Sequence, residues 1–298
     1  MSDLTLWQRL RKRRATKLCL WIMALVIAAA LFGPILLPSR FAELTNNQFA
    51  APSISHPFGT DLNGRDLFYR VLQGARISLL VGGAGALISF FIGTAYGLVS
   101  GYVGGKTDAF MMRGVEILYS VPRLIIILIF INAFDSRLKD GFEALHWNGL
   151  IGFSRIIILI LSLGLIEWLT MARIVRGQVL SLKSHQFVTA ARSLGQSHFK
   201  ILTRHLLPNL VGVVVVYLTL TIPAVMMDES FLSFLGLGIQ SPQASWGSLL
   251  NDGAQVINPV RSNWWLLVFP ASIMAATLLA LNFLGDALRD VIDPRDRK

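Results

Sequence analysis

Cysteine is almost missing from this 298-residue chain, and the lone Cys19 excludes an intrachain disulfide framework. Charge is scarce as well. Only 15% of the residues are Asp, Glu, Lys or Arg, against roughly 25% in ordinary soluble domains, while 54% are hydrophobic. That balance, with a mean hydropathy of +0.59, makes a bilayer-embedded protein the expectation. No metal-ligand spacing such as H-E-x-x-H occurs, and His56, His146, His185, His198 and His205 all fall outside the apolar runs. No nucleophile–base arrangement can be read out either. Ser100-Gly101-Tyr102-Val103-Gly104-Gly105-Lys106-Thr107 imitates a phosphate-binding loop, but serine replaces the first glycine and the segment closes an apolar run instead of following a strand. These absences point to a non-catalytic chain that holds no cofactor or metal of its own.

What the sequence has in quantity is long apolar runs. Crossing a hydrocarbon core of roughly 30 Å takes about 20 residues of helix. Six runs approach that length: Leu18–Leu37, Ile77–Val103, Ile117–Phe134, Ile156–Ala172, Leu210–Met227 and Trp264–Leu284. The expected fold class is all-α, a polytopic membrane protein with six transmembrane helices. An even number of spans puts both termini on one side. Eighteen of the 27 basic residues flank the spans on the side of the termini, and eight lie on the other. The positive-inside bias therefore predicts cytoplasmic termini. The net charge of +10 is spread over membrane flanks, which argues for lipid contact and against nucleic acid. The first run is longer than a signal-peptide core and reads as a signal anchor.

The expected domains are a basic N-terminal segment (1–17), a membrane domain (18–284) and a C-terminal tail (285–298). The longest outer loops, Pro38–Arg76 and Asp228–Asn263, are too short for ordinary independent domains. No internal repeat is visible.

Four features stand out against the apolar background. Gly85, Ser89, Gly93, Gly97, Gly101 and Gly105 recur every four residues in the second span, a ridge of small side chains that admits a close helix neighbour. That neighbour is either another helix of the bundle or a partner subunit. Pro223 interrupts the fifth span and predicts a kink, either lining a cavity or purely structural. Intramembrane carboxylates are costly. Glu116 is expected to pair with Arg113, and Arg173 and Arg176 follow Glu167. Asp228 and Glu229 are expected at the outer mouth. Such groups serve either as proton relays or as ion-pair partners, and their places near span ends favour pairing.

The fourth feature is the polar interval Leu180–Pro208, with Lys183, Arg192, Lys200, Arg204, three histidines and no acidic residue. Phe187, Ala190, Ala191 and Leu194 share one helical face. Gly195 is placed to stop that helix. A second short helix, Ser197 to His205, follows with Ser197 as cap, and Pro208 marks the entry to the fifth span. Such a hairpin suits a groove on another protein; the alternative is rest on anionic lipid.

Thr189-Ala190-Ala191, Gly195 and His205-Leu206-Leu207-Pro208-Asn209 resemble the EAA loop of bacterial ABC importer inner-membrane permeases. Four more ordered blocks resemble the C-type permease subunit of oligopeptide and dipeptide importers. They are His56–Leu79 with its H-P-F-G-T-D, G-R-D and G-A-R-I-S-L, Ala172–Gln178, Glu229–Gly238, and Gly285–Arg295. The resemblance implies a type I importer permease fold in the bacterial inner membrane. It implies a second permease subunit as heterodimer partner, two ATP-binding subunits that carry ATP and magnesium, and an extracytoplasmic peptide-binding protein. Residues 181–208 would then be the coupling loop, through Thr189, Ala190, Ala191, Gly195, His205, Leu207 and Pro208. The family usually has glutamate where Thr189 stands. The translocation path would involve the second to fifth spans, with Glu167, Pro223, Asp228 and Glu229 as candidates. Asp66 would cap a short amphipathic helix through Leu67, Phe68, Val71, Leu72 and Ala75, which would meet the binding protein or lie as a collar on the membrane. The alternative functions are a stand-alone secondary carrier or channel, or an ABC permease for nickel or antimicrobial peptides.

Overall fold

The computed structural model describes residues 14–36, 44–257 and 262–292. Arg9 to Arg13, Arg40, Arg261 and the chain beyond residue 292, which count toward the charge bias or the Gly285–Arg295 block, lie outside the described residues.

Among the described residues the secondary structure is helical, apart from one antiparallel bridge between Thr60 and Asp66. The helices are α1 (Arg14–Leu36), α2 (Leu67–Val103), α3 (Gly105–Ser120), α4 (Arg123–Ala144), α5 (Asn148–Ile151) and α6 (Ser154–Lys183). They continue as α7 (Gln186–Ser193), α8 (His198–Ile201), a π-helical turn (Leu202–Leu206), α9 (Leu207–Phe234), α10 (Trp246–Gln255) and α11 (Trp265–Ile292). Five helical stretches are long and apolar enough to span a bilayer, and the α3–α4 pair makes a sixth if its two halves count as one.

That pair corrects the third expected span. Ile117–Phe134 is not one helix: α3 and α4 meet at an 87° bend. The cause is local. Pro122 has no N–H to donate and biases Val121 away from helical geometry, and Val121 is extended at ψ 132°. The expected short helix at Asp66 is also longer than foreseen. Asp66 does cap it, its Oδ1 accepting from the Phe68 amide at 2.8 Å, but the helix runs on without interruption through the second span to Val103.

The chain divides into two compact units, with boundaries at Gly83/Ala84 inside α2 and Ile222/Pro223 inside α9. The first unit holds α1, the start of α2, the end of α9, α10 and α11. Its polar segment before α2 is tied by Asp61, whose carboxylate accepts from Arg65 Nε and from an Arg70 guanidinium nitrogen, both at 2.8 Å. The same Arg70 nitrogen reaches Asp252 on α10 at 3.0 Å. His56 Nδ1 lies 2.8 Å from Asp66 Oδ2, and Phe58 stacks on Phe269 at 4.2 Å. Gly64 has φ +71° and sits against the Thr45 carbonyl, so no side chain fits there. These contacts account for the H-P-F-G-T-D and G-R-D block as a folded lock at the head of α2.

The second unit is organised around a close approach of α2 and α6. A Cβ at Gly93 would fall 2.6 Å from Met171 Cβ, and one at Gly97 would fall 2.5 Å from the Ala172 carbonyl oxygen. At Gly101 it would fall 2.8 Å from Val179 Cβ. Gly164 of α6 meets Ile88 and the Gly85 carbonyl in the same way, and Ser89 is buried. Gly105 faces open space and takes no part. The small-residue ridge thus lies against a helix of its own chain.

Candidate functional site

The polar interval builds a helix–turn–helix at the end of α6. Helix α7 closes in a Schellman arrangement: the Gly195 amide donates to the Arg192 carbonyl at 2.9 Å and the Gln196 amide to the Ala191 carbonyl at 3.2 Å. Gly195 has φ +72°, the left-handed conformation that glycine adopts without a Cβ penalty. The Ser197 hydroxyl accepts from the Lys200 amide at 3.4 Å and caps α8. His205 Nε2 lies 2.8 Å from Gln196 Oε1, which ties the turn back to the second helix.

Pro208 is the second residue of α9, at the head of the fifth span. The helix continues from His198 to Phe234, and the irregularity sits one turn earlier, as the π-helical turn Leu202–Leu206. Pro208 cannot donate to the carbonyl four residues back, and its ring crowds that carbonyl; a widened turn relieves both problems.

The two alanines part company. Ala191 is buried with Val188, Ile201 and Leu206 in a cluster that also takes Tyr102 of α2, Met171, Val175 and Val179 of α6, and Leu210 and Val214 of α9. Ala190 and Thr189 are exposed, and Leu207 is partly buried. Gly195 has open space around it. Two large apolar side chains are left uncovered beside them, Leu194 at 79% and Phe199 at 76% exposure. The loop therefore has an inner apolar face set into the chain and an outer face of Phe187, Thr189, Ala190, Leu194, Gly195 and Phe199.

The carboxylates are distributed differently from the expectation. Glu167 faces Arg123 of α4 at 3.4 Å, a partner 44 residues away. Arg176 instead grips Asp108 of α3, through Nε and NH2, each 2.6 Å from a different oxygen. The Ser100 hydroxyl donates to the same carboxylate. Sequence reasoning missed Asp108 entirely; only its being an acid at the basic end of two spans hinted at a role. Glu229 lies near the end of α9. It is fully buried, accepting from Ser233 Oγ at 2.7 Å, Ser78 Oγ at 3.2 Å and Ser230 Oγ at 3.3 Å. Ser78 Oγ also accepts from the Trp246 amide, and Ser233 Oγ from the Ile239 amide. Asp228 is buried beside it. The Glu229–Gly238 block is thus a polar knot joining α2, α9 and α10, packed so tightly that a Cβ at Gly247 would meet the Ser230 carbonyl at 2.4 Å. Pro223 lies inside α9 as expected. The phosphate-loop imitation is a helix end: α2 stops at Val103, Gly104 has φ +71°, and α3 starts at Gly105.

Comparison with known proteins places this architecture. Residues 93–298 match the family described as binding-protein-dependent transport system inner membrane component, and residues 5–55 match the N-terminal TM domain of oligopeptide transport permease C. The chain belongs to this family of transport permeases, and it is a multi-pass membrane protein. Within the family it is 46% identical over 302 residues to the oligopeptide transport system permease protein OppC of Escherichia coli (strain K12), covering 98% of this chain and 92% of that protein. It is 43% identical over 293 residues to the dipeptide transport system permease protein DppC of Bacillus subtilis (strain 168), covering 98% and 85%. The fold is similar to an inward-facing structure of the MetNI methionine ABC transporter, with a TM-score of 0.58 at 18% identity, over 75% of this chain and 96% of that one.

Proposed function

We propose that this chain is the permease subunit of an ATP-driven importer that moves oligopeptides or dipeptides across the bacterial inner membrane. Its termini lie in the cytoplasm, with residues 1–17 and 285–298 flanking the membrane domain 18–284. It pairs with a second permease, two ATP-binding subunits supply hydrolysis with their own ATP and magnesium, and an extracytoplasmic protein delivers the peptide. The cargo rests on the names of its relatives, oligopeptide and dipeptide permeases at 43–46% identity.

One observation carries the mechanical part. The 181–208 loop buries one apolar face in its own chain while leaving Leu194 and Phe199 bare among Arg192, Lys200 and Arg204. Exposed apolar side chains on a hairpin whose other face is packed into its own chain support a protein contact. Thr189 on that outer face leaves the contact without the family's usual acid, so its shape and apolar part bear the docking. ATPase closure is transmitted through this hairpin to α6 and α9, which are continuous with it.

The experiment is co-expression with the ATPase, permease and binding-protein genes, followed by reconstitution. The expected result is copurification of two ATPases and peptide uptake that requires ATP, with Gly195→Asp leaving hydrolysis but losing uptake. Peptide uptake by the purified chain alone under an ion gradient would replace this reading with that of a secondary carrier.

A further inference from the structure

The loop is joined to its chain by covalent continuity with α6 and α9. Helix α2 has no such continuity, yet one of its side chains reaches both loop helices. Tyr102, in the last turn of α2, is 6% exposed and belongs to the apolar cluster beneath the loop. Its hydroxyl lies 2.7 Å from Nδ1 of His198 on α8. Its ring carries the Arg192 guanidinium of α7, with Cζ 5.3 Å from the centroid.

The end of α2 is not free to absorb a displacement by fraying. Two residues before Tyr102, Ser100 donates to Asp108, and Asp108 is held in the two-pronged grip of Arg176 on α6. Higher up, Gly93, Gly97 and Gly101 keep α2 in backbone-level contact with α6. A rigid helix fixed along one side responds as a body to a force at its end. A polar contact at that end, one hydrogen bond and one cation–ring contact, has directional geometry that the surrounding apolar cluster lacks.

We infer that Tyr102 is a positioning residue for coupling: through His198 and Arg192 it makes α2 follow the loop when the ATPases move it. This rests on the coupling-loop reading above and adds a third helix to the two that continue from the loop.

The test uses the whole transporter, reconstituted in proteoliposomes with its binding protein, and reads peptide transported per ATP hydrolysed. Tyr102→Phe keeps the ring and removes the hydroxyl. We expect ATPase copurification, retained hydrolysis and at most a small fall in melting temperature, with transport per ATP reduced roughly 2- to 12-fold, the equivalent of one neutral hydrogen bond. His198→Gln, at an exposed position, should give a similar loss, and the double variant no more than either alone. Should Tyr102→Phe fail to assemble, His198→Gln alone carries the test. Wild-type transport per ATP in His198→Gln, or in Tyr102→Phe, overturns the inference, as do losses that multiply in the double variant. Gly195→Asp separates the levels. If it uncouples the transporter while Tyr102→Phe does not, only this inference falls. If it too transports normally, the coupling-loop reading falls and takes this one with it.

Discussion

Arg176 on α6 and Asp108 on α3 form a forked pair, two nitrogens against two oxygens at 2.6 Å each. The planar guanidinium matches the carboxylate in a way a lysine ammonium does not. Arg176→Lys keeps the charge and loses the fork, so it should lower the melting temperature of the detergent-solubilised chain measurably. Asp108→Ala should cost more, on the order of 1–3 kcal/mol, because Ser100 and Arg176 both lose their acceptor. Equal melting temperatures for Asp108→Ala and the wild type would show that the fork contributes nothing to the fold.

The α2–α6 seam predicts a sharp positional contrast. A Cβ at Gly97 would strike the Ala172 backbone, whereas one at Gly83 meets nothing within 4 Å. Gly97→Leu should overpack the seam at a cost of about 1–3 kcal/mol and depress both yield and melting temperature. Gly83→Ala should be neutral or stabilising by about 0.5–1 kcal/mol, since it removes helix-interior glycine without a clash. Thermal unfolding of the two variants side by side checks the ranking.

Ala190 and Ala191 are adjacent in sequence and opposite in consequence. Ala191→Trp forces a large ring into the cluster of Val188, Ile201 and Leu206 and should destabilise the chain by itself. Ala190→Trp projects outward and should leave its melting temperature alone while abolishing ATPase copurification. The reverse pattern would mean that the hairpin docks by its other face.

Gly195 offers a geometric test of the turn. Asparagine tolerates the left-handed conformation at φ +72° far better than valine does. Gly195→Asn, which lacks the charge that Gly195→Asp sets close to Arg192 in the chain, should retain most coupling, and Gly195→Val should lose it, in ATP-driven uptake. Equal activity of the two would show that backbone geometry there is unimportant.

Glu229 is fully buried and held by serine hydroxyls. Glu229→Gln preserves an acceptor and should fold nearly as the wild type. Glu229→Leu strands Ser78 and Ser233 and should cost about 1–3 kcal/mol, read as a fall in melting temperature. A leucine variant as stable as the glutamine variant would remove the structural role assigned to this knot.

The sequence by itself determined what depends on local periodicity and on single residues with special backbones. It yields the apolar runs, the α7–glycine–α8 hairpin with its Ser197 cap, the Asp66 cap and the absence of catalytic spacing. These are legible because hydrophobic length, glycine's freedom and a capping oxygen act within a few residues. Only the tertiary structure decided that the run Ile117–Phe134 breaks at Pro122, since hydropathy averages over a bend that one missing donor produces. It decided which alanine of the pair faces inward, because adjacent residues on a helix differ by about 100° and the apolar stripe ran through both. It decided that Glu167 meets Arg123, that Arg176 meets Asp108 68 residues away, and that Glu229 is sealed in serines instead of opening to water. Ion pairs and buried polar knots join residues far apart in the chain, and nothing in their local surroundings names the partner until the helices are packed.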